Sequence, residues 1–77
     1  MMIKEHDRVV LVAGVSTEGL VAGDVGTVVH VYRDGQAYEV EFFTLEGKTA
    51  AVVTLEVSQV RPVGKREITH ARELAPR

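Results

Sequence analysis

Fifteen valines, six threonines and two isoleucines make 23 of the chain's residues β-branched. Such side chains are stiff at the first torsion and suit a pleated, half-buried surface better than a helix. Seven glycines cut the valine-rich runs into short pieces. Short strands separated by glycine-marked turns predict an all-β fold, a sandwich or a barrel. With 77 residues there is room for one small domain and one modest core. A deep, water-excluded pocket is hard to build at that size. A binding surface is therefore the better expectation than an active site.

The strands can be placed from pattern alone. The first is expected over Asp7 to Ala13, where valine and leucine occupy both faces. Residues 14–23 form a stretch too long for a tight hairpin and too rich in glycine for a helix. It reads as a folded-over loop, with Val15, Leu20 and Val21 tucked against the body. A second strand is expected over Val25 to Tyr32, with Gly23 and Gly26 marking a close approach and a bend or bulge where it begins. Arg33-Asp34-Gly35-Gln36 is a turn, since Asp and Gly tolerate positive φ. The third strand, Ala37 to Phe43, alternates cleanly, with Tyr38, Val40 and Phe42 inward and Glu39 and Glu41 outward. After a short loop at residues 44–48, a fourth strand is expected over Thr49 to Leu55, a single helical turn over Glu56 to Gln59, and a fifth strand over Val60 to Val63. Pro62 cannot donate to a ladder, which assigns that last strand to an edge. From Lys65 to Ala75 the composition changes to helix formers, with Ile68, Ala71, Leu74 and Ala75 forming one narrow apolar stripe. A short C-terminal helix is expected there, eleven residues being marginal for an isolated one. Residues 1–63 are thus the expected body and 64–77 a helical tail.

The long loop, then Gly-Asp-Val-Gly-Thr-Val-Val at residues 23–29, the hairpins and the closing Arg61-Pro62-Val63 resemble a small five-stranded SH3-like barrel. More narrowly, residues 5–11, 19–29, 38–42 and 59–62 as a set resemble the short bacterial proteins grouped as domain of unknown function 4926. That resemblance implies no activity. It implies a small accessory protein beside a neighbouring-gene product, with a toxin–antitoxin type of role as one form of it. Residues 24–31 also resemble, more loosely, the KOW motif of ribosomal and transcription-factor barrels. Such RNA binders carry Lys and Arg around this glycine, whereas here only Arg8 and Arg33 are near and Glu18 and Asp24 occupy the loop.

Charge is divided unevenly along the chain. Residues 1–60 hold nine acids and four bases, a net −5, and residues 61–77 hold five bases and two acids, a net +3. An acidic body repels phosphate and argues against nucleic acid as the main partner. The basic tail has three readings: a solvated segment, a segment folded onto an acidic body (its own or a second copy's), or a recognition element for another molecule. Cysteine is absent, which excludes disulfides, thiol catalysis and cysteine metal sites. His6, His30 and His70 stand on different elements, so no metal is expected. Ser16 and Ser58 lie in no nucleophile motif, and Gly47-Lys48-Thr49 lacks the rest of a phosphate loop. No apolar run approaches the roughly 20 residues of a membrane span, and the first residues turn charged at once, so a cytoplasmic protein is expected.

The function expected is a non-catalytic protein-interaction module without a cofactor. Its contact residues are expected to be Glu18, Tyr32, Phe43, Arg66, Ile68, His70 and Leu74, and a homodimer through the tail helix is a natural form of it. The alternative is a KOW-like nucleic-acid module using Arg61, Lys65, Arg66 and Arg72.

Overall fold

A computed structural model describes residues 2–74. Five strands follow one another: β1 (Arg8–Leu11), β2 (Val25–Tyr32), β3 (Ala37–Phe43), β4 (Thr49–Glu56) and β5 (Val60–Pro62). They form one antiparallel sheet in the order β4-β3-β2-β1-β5. The positions of β2 and β3 are those expected from alternation. β1 stops at Leu11, earlier than expected, because the chain there leaves the ladder with β2. Val12 N–H instead donates to the Gln59 carbonyl at 2.9 Å. β5 pairs with β1 alone, so Pro62 lies on an edge. The turn before β5 is a single 3-10 turn, Val57–Gln59, closed by Glu56 N–H donating to the Gln59 side chain at 2.8 Å.

One apolar core joins all five strands. Tyr38, Val40 and Phe42 point inward and lie opposite Leu55, Val53 and Ala51 of β4. Val28, Val9, Leu11 and Val60 come from the other three strands, and Ile3 and Leu20 are buried from outside the sheet. Leu20 is held by a small bridge across the loop, where Val15 and Leu20 exchange N–H···O bonds of 2.9 and 3.1 Å around the turn Ser16–Glu18. Val15 is partly buried as expected, but Val21 is exposed. Its N–H is claimed by Asp24, which fixes the loop with that side chain outward.

Two local features set the geometry of the sheet. A β-carbon added to Gly26 would lie 2.5 Å from Val40 Cγ1 and 2.9 Å from Phe42 Cε2. The close approach expected near Gly26 is therefore real, and it is the inner side chains of β3 that require it. The bulge lies further along than expected. Val28 pairs with Val40 and His30 with Glu39, leaving Val29 as the extra residue. That one residue reverses the parity of β2. Val28 and, beyond the bulge, Val31 face the core, while His30 and Tyr32 face outward with Glu39.

The expected C-terminal helix is absent among the described residues, and the end of that expected segment, residues 75–77, lies outside them. After a turn at residues 65–66, residues 67–74 carry no helix or strand. Glu67 turns its side chain back on the chain, accepting from Gly64 N–H at 2.5 Å and from Arg61. The Gly64 bond is of the kind that opens a helix, yet a single turn at residues 65–66 is all that follows it. Ile68, the first residue of the apolar stripe, finds nothing to cover it and is 91% exposed. An uncovered helix of this length does not repay its nucleation.

Two outcomes follow. Gly26→Ala is expected to cost about 1–3 kcal/mol by overpacking against Val40 and Phe42, read as a lower urea midpoint at unchanged slope. The described core contains no residue beyond Val60. A chain cut after Gly64 is therefore expected to keep its far-ultraviolet circular dichroism and one cooperative unfolding transition, and loss of either would make the tail part of the folding unit.

Candidate functional site

The loop between β1 and β2 ends on Asp24, and nearly every polar group around that residue is committed. Asp24 N–H donates to the Val21 carbonyl at 3.1 Å, and its own carbonyl accepts from Leu11 N–H at 2.9 Å. Its carboxylate accepts from Val21 N–H at 2.9 Å. Gly23 (φ 97°) makes the tight turn into it. The carboxylate is thus oriented by the loop's own backbone, and with Arg72 in place its side chain is 18% exposed.

Arg72 reaches this carboxylate from 48 positions along the chain. Its Nε donates to Oδ1 at 2.9 Å and its Nη2 to Oδ2 at 2.5 Å, a two-point fork. Nη2 also donates to the Gly19 carbonyl at 3.1 Å. Burial is the largest single influence on the Asp24 carboxyl and opposes its ionisation. The hydrogen bonds from Arg72 and Val21 and the charge of Arg72 together outweigh it, so Asp24 titrates below its usual range. Arg72 is correspondingly raised by its hydrogen bonds to Asp24. Beside this pair lies an open groove of about 810 Å³, walled by Gly19, Leu20, Val21 and Ala22 on one side and by Arg72 to Leu74 on the other.

A second tie fastens the start of the tail. Arg61 on β5 donates from Nη1 and Nη2 to the two oxygens of Glu67 at 2.8 and 2.6 Å. Hydrogen bonds from Arg61, then the Gly64 N–H, lower the Glu67 carboxyl from 4.5 to about 2. Residues 67–72 are therefore held at both ends, to β5 at Glu67 and to the loop before β2 at Arg72. A depression of about 160 Å³ lies beside the Arg61–Glu67 tie, lined by Val10, Val25, Val63 and Ile68 among others.

The outer face of the sheet carries a separate polar group. Thr54 and Tyr32 hydroxyls donate to the same Glu39 oxygen at 2.5 and 3.3 Å, and Thr49 donates to Glu41 at 2.5 Å. The His30 ring meets Tyr32 edge-on, with ring centres 4.5 Å apart. Partial burial, then the Glu39 charge, raises the Tyr32 phenol above its usual range. Among the described residues, no group of three or more His, Asp or Glu is placed to hold a metal ion. No described helix is long and apolar enough to cross a membrane.

The residues picked from the sequence do not form one surface. Leu74 walls the large groove, Ile68 the small one, and Arg66 and His70 are exposed along the tail between and beside them. Glu18 stands on the turn Ser16–Glu18. Tyr32 and Phe43 are both exposed but at opposite ends of the β2–β3 hairpin, roughly 20 Å apart along the strands. Of the four cations expected to face nucleic acid, Arg61 and Arg72 are engaged by carboxylates of this chain, and Lys65 and Arg66 are exposed. Asp24 was not distinguishable as a site residue from the sequence. The signal that existed was the contrast between an acidic loop and a basic tail.

A family model described as a domain of unknown function (DUF4926) matches residues 5–62. No curated protein and no solved structure matches the chain. The matched span contains all five strands and Asp24, and it ends before Glu67 and Arg72.

Glu67 gives a pH test of the tail's attachment. Because its folded value lies below 4.5, at about 2, the stabilisation it contributes is complete above 4.5, declines as pH falls from there and is gone below about 2. A carboxyl-detected NMR titration is expected to place the Glu67 midpoint near 2, and Arg61→Gln to return it towards 4.5.

Proposed function

The chain belongs to the DUF4926 family, and we propose that it works as a non-catalytic protein-interaction module on an SH3-like barrel. The strand order, the long loop after β1, the lone 3-10 turn before β5 and the one core shared by all strands support that form of closure. The docking surface is the tail strap together with the loop it crosses. The observation that carries this reading is Ile68: a large apolar side chain, 91% exposed, on a segment tied on either side of it, to β5 and to the loop before β2. An anchored segment displays such a side chain at little ordering cost, which favours it as a contact anchor. Leu74 extends the same surface along the large groove, with Arg66, His70 and Glu18 as polar contacts at its rim.

A homodimer through a tail helix loses its basis with the helix itself, so the partner is taken to be a different protein, such as a neighbouring-gene product in the cytoplasm. The nucleic-acid reading is weaker than the charge of the tail suggests. With Arg61 and Arg72 bound by Glu67 and Asp24, Lys65 and Arg66 are a small footprint for phosphate.

The test is capture from native lysate by the tagged full chain, after nuclease and at two salt concentrations. One dominant partner is expected to survive high salt. Ile68→Asp and Leu74→Asp, both surface changes, are expected to abolish its retention without shifting the thermal midpoint. Nothing retained after nuclease, with nucleic acid in the untreated eluate, would hand the function to the KOW-like alternative.

A further inference from the structure

The Asp24 carboxylate, with the Gly19 carbonyl beside it, has the features of a binding site. The acceptors are fixed by the backbone of the loop, and they take a planar donor at three hydrogen bonds. A lysine, a point charge with one nitrogen, cannot make the two-point fork. The wall next to the carboxylate is Leu20, Val21 and Ala22, suited to an extended backbone with small apolar flanks. The group that fills the site here is supplied by the tail, a segment with no helix or strand and no buried residue among residues 64–74. The acceptor lies within the family span and its occupant outside it.

We infer that Asp24 and Gly19 form an arginine-binding site for an extended segment of the partner protein, and that Arg72 occupies it in cis as a stand-in ligand. This rests on the interaction-module reading and deepens it by naming the chemistry that the partner presents: an arginine in a strand-like or irregular stretch, laid along the groove beside Leu20. The tail then sets a threshold. Tethered close by, Arg72 competes at an effective concentration on the order of millimolar, so only a segment with further contacts along the groove displaces it. Release of Arg72 frees the end of the tail that carries Leu74 while the Arg61–Glu67 tie still holds its beginning.

The experiment uses isotope-labelled full chain, wild type and Arg72→Gln, titrated with a synthetic blocked peptide of residues 67–74. A second peptide carries citrulline, which keeps the shape of arginine and removes its charge, and a third carries lysine at the same position. Shifts of the Gly19, Val21 and Asp24 amides report binding. The arginine peptide is expected to bind Arg72→Gln at least tenfold more tightly than wild type, and the citrulline and lysine peptides at least tenfold more weakly than the arginine peptide. Adding Asp24→Asn to Arg72→Gln is expected to abolish the response. If that double variant does not fold, the citrulline comparison decides alone. Equal binding to wild type and Arg72→Gln, equal binding of the citrulline peptide, or no binding at millimolar peptide would overturn the inference. The peptide experiment contains no cellular partner and leaves Ile68 in place on the protein. Its failure therefore leaves the lysate capture standing, and failure of the capture leaves the arginine site standing.

Discussion

The rings and methyls of β3 lie over the α-carbon of Gly26, and the rest of the sheet is arranged around that contact. Val40 and Phe42 occupy the space a β-carbon would take, which brings β2 close enough for Val28 to be fully buried between them and β1. β1 in turn pairs with β2 on one side and β5 on the other. Its Val9 and Leu11 carry the core across to Val60. A sheet with one buried face and a core drawn from every strand has to bend, and the residue that lets it do so has no side chain.

The bulge at Val29 decides what the outer face can be. Strict alternation along β2 would put Val28, His30 and Tyr32 on one face. The extra residue sends His30 and Tyr32 to the other side, where Tyr32 shares Glu39 with Thr54. Glu39 and Glu41 thus keep their expected outward positions, but as acceptors for threonine and tyrosine hydroxyls. Cross-strand pairs of this kind stabilise a solvated face modestly. They do not assemble the convergent donors that acid–base or metal chemistry requires.

Much of this was legible in the residues. The alternation Tyr38-Glu39-Val40-Glu41-Phe42 determines both faces of β3, the Asp34-Gly35 pair determines the turn, and Pro62 determines the edge. These are local rules acting over a few positions. The position of the bulge was not legible, because Val28-Val29-His30-Val31 puts valine on both faces at either parity, Val28 with His30 on one and Val29 with Val31 on the other. Nor was Asp24, because its role depends on a partner 48 positions away and on loop hydrogen bonds that no spacing announces. The tail misled for the same reason. Its residues favour a helix one at a time, but the outcome rests on where Arg61, Gly64 and Asp24 stand, and those positions are products of the fold.

The competition in the tail explains its suitability as an attachment that can be exchanged. A helix over residues 65–75 would gain backbone bonds, yet its apolar stripe has no face of the sheet to cover and its length is marginal. The observed form gives up those bonds for two guanidinium–carboxylate forks, each at the surface and each open to screening by salt. Neither fork adds to the core. Each fork is strong in geometry and modest in free energy, which is the combination that holds a segment in place and still yields to a competitor. A tail packed by Ile68 and Leu74 into the core would be bound more firmly and would display nothing.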